Sequence, residues 1–174
     1  MNITIVAGTR PNFIKIAPII EAITTKQKQG FNIHFRLIHT GQHYDTNLSD
    51  TFFKELNIPH PNCNLDVKSG SQAEQTAAIM IGFEKELEQN PCDLVLVVGD
   101  VTSTMACTIV AKKAGIKVAH IEAGIRSGDL SMPEEINRII TDSLTDYFFT
   151  TSTYANNNLA QLGVPKSNIF FVGN

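Results

Sequence analysis

The chain has 174 residues, enough for one domain with a sizeable core or one lobe of a larger enzyme. Its composition, 43% hydrophobic and 18% charged, is that of an ordinary globular protein, and no apolar run reaches the ~18 residues that suggest a membrane span. The net charge of −3, from 14 cations and 17 anions, argues against a nucleic-acid partner but leaves room for a local basic pocket. The three cysteines, Cys63, Cys92 and Cys107, are odd in number and widely spaced, with no CxxC, so neither a zinc site nor a disulfide framework is expected. A reducing cytoplasm fits that usage. The start, MNITIVAGTR, lacks the basic and long apolar regions of a signal peptide.

Residues 2–7 form a short β-branched run ending in Gly8-Thr9-Arg10-Pro11, which reads as a buried strand and a turn. Pro11 suits a first helical turn, and Ile16, Ile20 and Ile23 follow at helical spacing. Pro18 lies inside this pattern and predicts a kink or a restart. A second strand, 31–38, ends in His39-Thr40-Gly41-Gln42-His43-Tyr44-Asp45. Leu48, Phe52, Phe53 and Leu56 mark an amphipathic helix. Residues 57–70, rich in Pro, Asn, Asp and Ser, read as a long and flexible loop. Ser71-Gln72-Ala73-Glu74 fits a capping box opening a helix that runs to about Gln89.

The run 94–98, LVLVV, is apolar throughout, as expected of a parallel strand covered on both faces. It ends in Gly99-Asp100, and residues 102–114 read as a helix rich in small residues. A strand at 117–121 follows, then a loop and a helix from Pro133 to about Thr145. Its isoleucine spacing predicts a buried stripe of Ile136, Ile139, Ile140 and Leu144. A strand at 147–150, a helix at 152–162 and a strand at 169–172 complete the pattern. Strand–helix alternation from end to end predicts an α/β fold with a doubly wound, Rossmann-like parallel sheet. In such sheets ligands bind beyond the carboxyl ends of the strands, where strand order reverses. With order 3-2-1-4-5-6, the first strand and the strand before Asp100 are neighbours at that point.

The polar turns collect at this edge. Gly8 permits close backbone approach, the following helix start offers N–H groups to an anion, and Arg10 adds a fork of donors suited to phosphate; the plain alternative is a surface arginine on an ordinary turn. No GxGxxG is present, which speaks against a nicotinamide cofactor. Lys15 lies one turn beyond Pro11 and reads either as a pocket cation or as a solvated helix lysine. Gln42 and His43 sit in the second turn, where a histidine can serve as acid, base or donor, or simply be solvated. His34, His60 and His120 show no ligand spacing and read as structural. Asp100 either faces a ligand or caps the helix near Thr102.

The stretch HIEAGIRSGDLSMPEEINR, from His120 to Arg138, organises the chain. Glu122 ends a strand with no obvious helix to cap, which favours function for it. Glu134 and Glu135 fall in a first helical turn, where the dipole favours anions by ~0.3–1 kcal/mol. Glu134 and Arg138, four apart, share the face opposite the isoleucines and can pair.

In this order and spacing GTRPNFIKIAPI, TGQHYD, VVGDVTST, HIEAGIRSGDLSMPEEINR and VGN resemble the bacterial and archaeal UDP-N-acetylglucosamine 2-epimerase family over essentially the whole chain. One departure is Asn12, where many relatives carry Glu, a difference that bears on subgroup. The resemblance implies a two-lobed GT-B-type architecture, with residues 1–174 as the N-terminal Rossmann-like lobe and the C-terminal nucleotide-binding lobe absent from this chain. It implies epimerisation at C2 of UDP-GlcNAc to UDP-ManNAc by elimination and readdition of UDP through a 2-acetamidoglucal, serving surface polysaccharide precursor synthesis. By motif match the catalytic carboxylates are Asp100, Glu122 and Glu134, and the substrate-binding residues are Arg10, Lys15, Gln42, His43 and Arg138. No metal or other cofactor is implied. Three carboxylates in one pocket should raise at least one pKa. The implied partner is a UDP-sugar, with neither nucleic acid nor membrane, in a cytoplasmic homodimer, and the lobe alone is expected to be inactive. A hydrolysing 2-epimerase, a UDP-diacetamido-uronate 2-epimerase and a non-enzymatic nucleotide-sugar-binding domain are the alternatives; a glycosyltransferase would share the fold without this carboxylate set.

Overall fold

Seven strands, all parallel, pair in the order β3-β2-β1-β4-β5-β6-β7. The computed structural model describes residues 1–41 and 50–173. Along the chain these are β1 (Asn2–Ala7), α1 (Arg10–Lys28), β2 (His34–His39), α2 (Asp50–Glu55), β3 (Cys63–Asn64), α3 (Gln72–Gln89) and β4 (Leu94–Val98). There follow α4 (Thr102–Lys113), β5 (Lys117–Ile121), α5 (Pro133–Leu144), β6 (Tyr147–Thr150), α6 (Thr153–Gln161) and, after a short 3₁₀ turn, β7 (Ile169–Phe171). Gln42, His43 and Leu48 lie outside the described residues.

Alternation along the strands sends side chains to two separate cores. Ile3, Ile5, Leu37, Leu96 and Val98 pack against Phe13, Ile16, Ile20 and Ile23 of α1 and Phe52 and Phe53 of α2. Val6, Ile38, Val95, Val97 and Val118 meet Ile79, Phe83 and Leu87 of α3 and Cys107, Val110 and Ala111 of α4. A sheet covered on both faces is the doubly wound arrangement that uniform apolarity in β4 predicts. β1 pairs with β4, so strand order reverses there and a crevice opens between their carboxyl ends.

Three expectations change. Of the two outcomes that Pro18 allowed, a kink or a restart, the restart is excluded, because α1 is one helix from Arg10 to Lys28. Residues 57–70 are not a free loop. Asn62 N donates to Leu37 O at 2.7 Å and Leu65 N to His39 O at 2.8 Å, which makes β3 the edge strand, and Val67 is buried. Backbone pairing of two residues leaves no side-chain period to detect. The third change concerns α5. Its buried residues are Glu135, Asn137, Arg138, Thr141 and Asp142, whereas Ile136 and Ile139 are 45% and 40% exposed. The helix is seated polar face inward, packed against α4 and over main-chain and side-chain polar groups around the β4 and β5 turns. The Ser71–Glu74 capping box forms as expected: Glu74 N donates to Ser71 Oγ at 3.2 Å and Ser71 N to Glu74 Oε2 at 2.8 Å.

Candidate active site

The β1 turn is closed by Asn12. Its Oδ1 accepts from Gly8 N and Thr9 N, each at 3.1 Å, and its Nδ2 donates to Val98 O across the sheet at 3.4 Å. Asn12 thus holds the two N–H groups before the helix and sutures the start of α1 to the end of β4. Arg10 is exposed at the mouth, its guanidinium 5.0 Å from the centroid of the Phe52 ring. This cation–π contact seats the guanidinium on the ring.

Two turns carry the carboxylates. Gly99 ends β4 with φ +69°, a conformation that glycine adopts without strain, and its N–H donates to Ile121 O at 3.0 Å, tying that turn to the end of β5. Glu122, directly after β5, has φ +68° itself. A non-glycine residue there costs of order 1–3 kcal/mol, and such positions cluster at functional sites. The twist aims its carboxylate at α1, where Lys15 Nζ donates to Oε2 at 2.6 Å. The same Oε2 lies 3.6 Å from where a Cβ on Gly99 would stand, so Glu122 overhangs the β4 turn.

Asp100 does not cap α4, whose N-cap is Val101. Its Oδ2 accepts from Arg138 Nε at 3.0 Å and Arg138 Nη2 at 2.9 Å, a bidentate pair reaching in from α5. Asn137 Nδ2 adds a bond to Asp100 O at 2.8 Å. The expected Glu134–Arg138 pair is replaced: Arg138 Nη1 donates to Glu135, and Glu134 stands exposed on the first turn of α5. With the helix polar face inward, the residue three before Arg138 turns toward it and the residue four before turns away.

Sequence reasoning missed the groups that hold this edge together. Glu135 accepts from Ser127 N and Gly128 N, both at 3.0 Å, as well as from Arg138. Burial by itself would raise its carboxyl, but those donors prevail and its pKa is lowered to about 2. Asp142, fully buried, accepts from His120 Nδ1 at 2.7 Å, Gly124 N at 3.0 Å and Arg126 Nη1 at 2.6 Å. Burial again pushes upward, and His120 and Arg126 together hold the carboxyl below its ordinary range. Both of these carboxyls are lowered because each faces donors and cations. A PEE doublet with Asp eight residues on was the available signal, but helical periodicity placed the isoleucines, not these acids, on the buried face.

Of the sequence-predicted residues, the structure brings Lys15 to Glu122 and Arg138 to Asp100, and places Arg10 at the same mouth. Glu134 is at the rim, and Gln42 and His43 lie outside the described residues. Among the described residues no group of three or more His, Cys, Asp or Glu could hold a metal ion.

The fold is a doubly wound α/β sheet with carboxylate–cation pairs at the carboxyl ends of its strands. The family model described as UDP-N-acetylglucosamine 2-epimerase matches residues 25–174, and the chain belongs to that family. It is 45% identical over 174 residues to the UDP-N-acetylglucosamine 2-epimerase of Methanocaldococcus jannaschii, covering all of this chain and 46% of that protein. It is 39% identical over 166 residues to the UDP-2,3-diacetamido-2,3-dideoxy-D-glucuronate 2-epimerase of Pseudomonas aeruginosa, covering 95% of this chain and 46% of that one. The crystal structure of the M. jannaschii enzyme in complex with UDP-GlcNAc and UDP superposes with a TM-score of 0.92, at 45% identity, over 100% of this chain and 47% of that chain. The chain thus spans about half the length of the relatives it matches. A lipopolysaccharide outer core galactosyltransferase, 14% identical with a TM-score of 0.68, shares the fold alone.

Proposed function

We propose that this chain is the first lobe of a UDP-N-acetylglucosamine 2-epimerase, which interconverts UDP-GlcNAc and UDP-ManNAc. The observation that carries the reading is the pairing of Glu122 with Lys15 and of Asp100 with Arg138 at the switch point, in a chain 45% identical over its full length to such an enzyme. The C2 proton is weakly acidic, so the reaction proceeds by loss of UDP across C1–C2. A carboxylate takes the C2 proton, the C1–O bond breaks, and a 2-acetamidoglucal forms. UDP then adds back as a proton is delivered to the opposite face of C2. Such chemistry needs proton carriers near C2 and cations for the departing diphosphate. We assign the proton transfers to Asp100, Glu122 and Glu134. Arg10, with Lys15 and Arg138 beside it and Gln42 and His43 in the neighbouring turn, binds the substrate and its diphosphate.

The remaining length of the relatives corresponds to a second, nucleotide-binding lobe, so the 174 residues alone should be inactive. We further propose a cytoplasmic homodimer making a surface polysaccharide precursor. The outward isoleucines of α5 support a covered face there, and a monomeric mass in solution for the two-lobed protein would refute the dimer. Among the described residues no helix is long and apolar enough to cross a membrane.

The test is incubation of the two-lobed protein with UDP-GlcNAc in heavy water, followed by proton NMR. Deuterium at C2 with accumulating UDP-ManNAc is expected. Free ManNAc with UDP would mean a hydrolysing enzyme. The 39% identity to the P. aeruginosa uronate epimerase makes its substrate the second to try. Exchange with that substrate and none with UDP-GlcNAc would overturn the sugar assignment. Exchange with neither would overturn the reaction.

A further inference from the structure

Both site turns, β4 to Asp100 and β5 to Glu122, pass over one buried ring. His120 points inward from β5 and is wholly buried. Its Nε2 lies 2.8 Å from Gly99 O, and its Nδ1 lies 2.7 Å from Asp142 Oδ1. Neither acceptor offers a hydrogen. A backbone carbonyl only accepts, and the Asp142 carboxylate already takes Gly124 N and the Arg126 guanidinium on Oδ2. Each ring nitrogen therefore faces an oxygen that can accept, and the ring is held at both ends. The bridge runs from the β4 turn through the ring to α5, and from Asp142 back to the Gly124 backbone two residues beyond Glu122.

We propose that His120 is a positioning residue of this site. Through Gly99 on one side and Asp142 on the other, it locks the β4 and β5 turns to each other and to α5, so that Asp100 and Glu122 are presented in fixed relation. The ring touches neither carboxylate. It acts on the residue before Asp100 and, through Asp142, on the loop after Glu122. The left-handed backbone of Glu122 needs such a restraint, because an unrestrained turn would relax out of that conformation. Asp142 meets both the ring and the Arg126 guanidinium inside the fold. As a role in catalysis, this assignment rests on the epimerase reading above.

The test has two arms, both on the protein with its second lobe present. In the first, protein labelled with ¹⁵N-histidine should show both ring nitrogens of His120 engaged in hydrogen bonds. A bare ring nitrogen would overturn the bridge, whatever the reaction is. In the second, His120→Phe keeps the ring and removes both bonds, and Asp142→Asn keeps the shape and removes the charge. Each folded variant should lose at least tenfold in kcat for C2 exchange with KM within about twofold, since alignment is lost and binding groups are kept. A kcat within twofold of the parent in a folded variant, or a loss carried wholly by KM, would overturn the role. If neither variant folds, the ring-nitrogen signals decide. If the parent itself exchanges no C2 proton, the epimerase reading fails, and the same signals still decide the bridge.

Discussion

Replacing Glu135 by Gln tests an acid that holds the 127–128 part of the loop. Its carboxylate accepts Ser127 N and Gly128 N at 3.0 Å and the Arg138 guanidinium. Glutamine keeps one acceptor oxygen and turns the other into an NH₂ group facing donors. One charged hydrogen bond is lost and one donor is left facing another, which together cost about 2–4 kcal/mol. In a chain of this size each kcal/mol moves the midpoint by roughly 2–4 °C, so a drop of about 10 °C is expected at pH 7. The difference should also depend on pH. The carboxyl pKa is 4.5 ordinarily and about 2 in the fold, so its contribution is complete above 4.5 and fades as pH falls toward 2. Thermal unfolding of the parent chain and Glu135→Gln, followed by circular dichroism between pH 7 and pH 3, checks both parts. A gap that stays constant across that range, or one below 1 kcal/mol at pH 7, would refute the assignment of Glu135 as an ionised clamp.

Two glycine substitutions should differ in severity. Gly124→Ala would set a Cβ 2.5 Å from Ala155 O at φ +80°, costing about 2–5 kcal/mol, whereas Gly99→Ala meets nothing closer than 3.6 Å and should cost about 1–2 kcal/mol; denaturant midpoints in the reverse order would contradict this. Lys15→Met removes the cation facing Glu122; since Lys15 is part-exposed and screened, a loss of about tenfold in kcat/KM is expected in the two-lobed protein, and a change below twofold would deny it a role. Burial pushes the Cys107 thiol up, so thiol titration of the native chain should reach Cys63 and Cys92 first and Cys107 only on unfolding.

Where hydrophobic period and topology coincide, the sequence is legible. The β4 run, the Ser71 capping box and the reversal between β1 and β4 follow from apolar spacing and strand–helix alternation. The turns after β1, β4 and β5 could be located for the same reason, since parallel strands bring their carboxyl ends to one edge. What sequence could not reveal depends on directional bonds. Helix α5 has isoleucines at helical spacing, and the rule that apolar residues go inward sends them to the core. Here the inner face is taken by unpaired main-chain N–H groups of the 124–128 loop and by Asp100. Acids and an arginine satisfy these, and isoleucine cannot. The choice of Glu135 over Glu134 as the partner of Arg138 follows from that rotation. Asn12 reads as one polar residue in a helix start, and its bond to Val98 O exists only once β1 and β4 are side by side. The β3 pairing rests on backbone alone.

The orientation of α5 also decides what would be seen if it lifted. A helix docked by grease leaves a greasy surface behind, and dyes that seek such surfaces report its departure. Under α5 lie a carboxylate, a guanidinium and bare amides, while its own isoleucines already face outward. Its release would wet those groups and register as faster hydrogen exchange at Gly124, Ser127 and Gly128, the amides that Asp142 and Glu135 now shield.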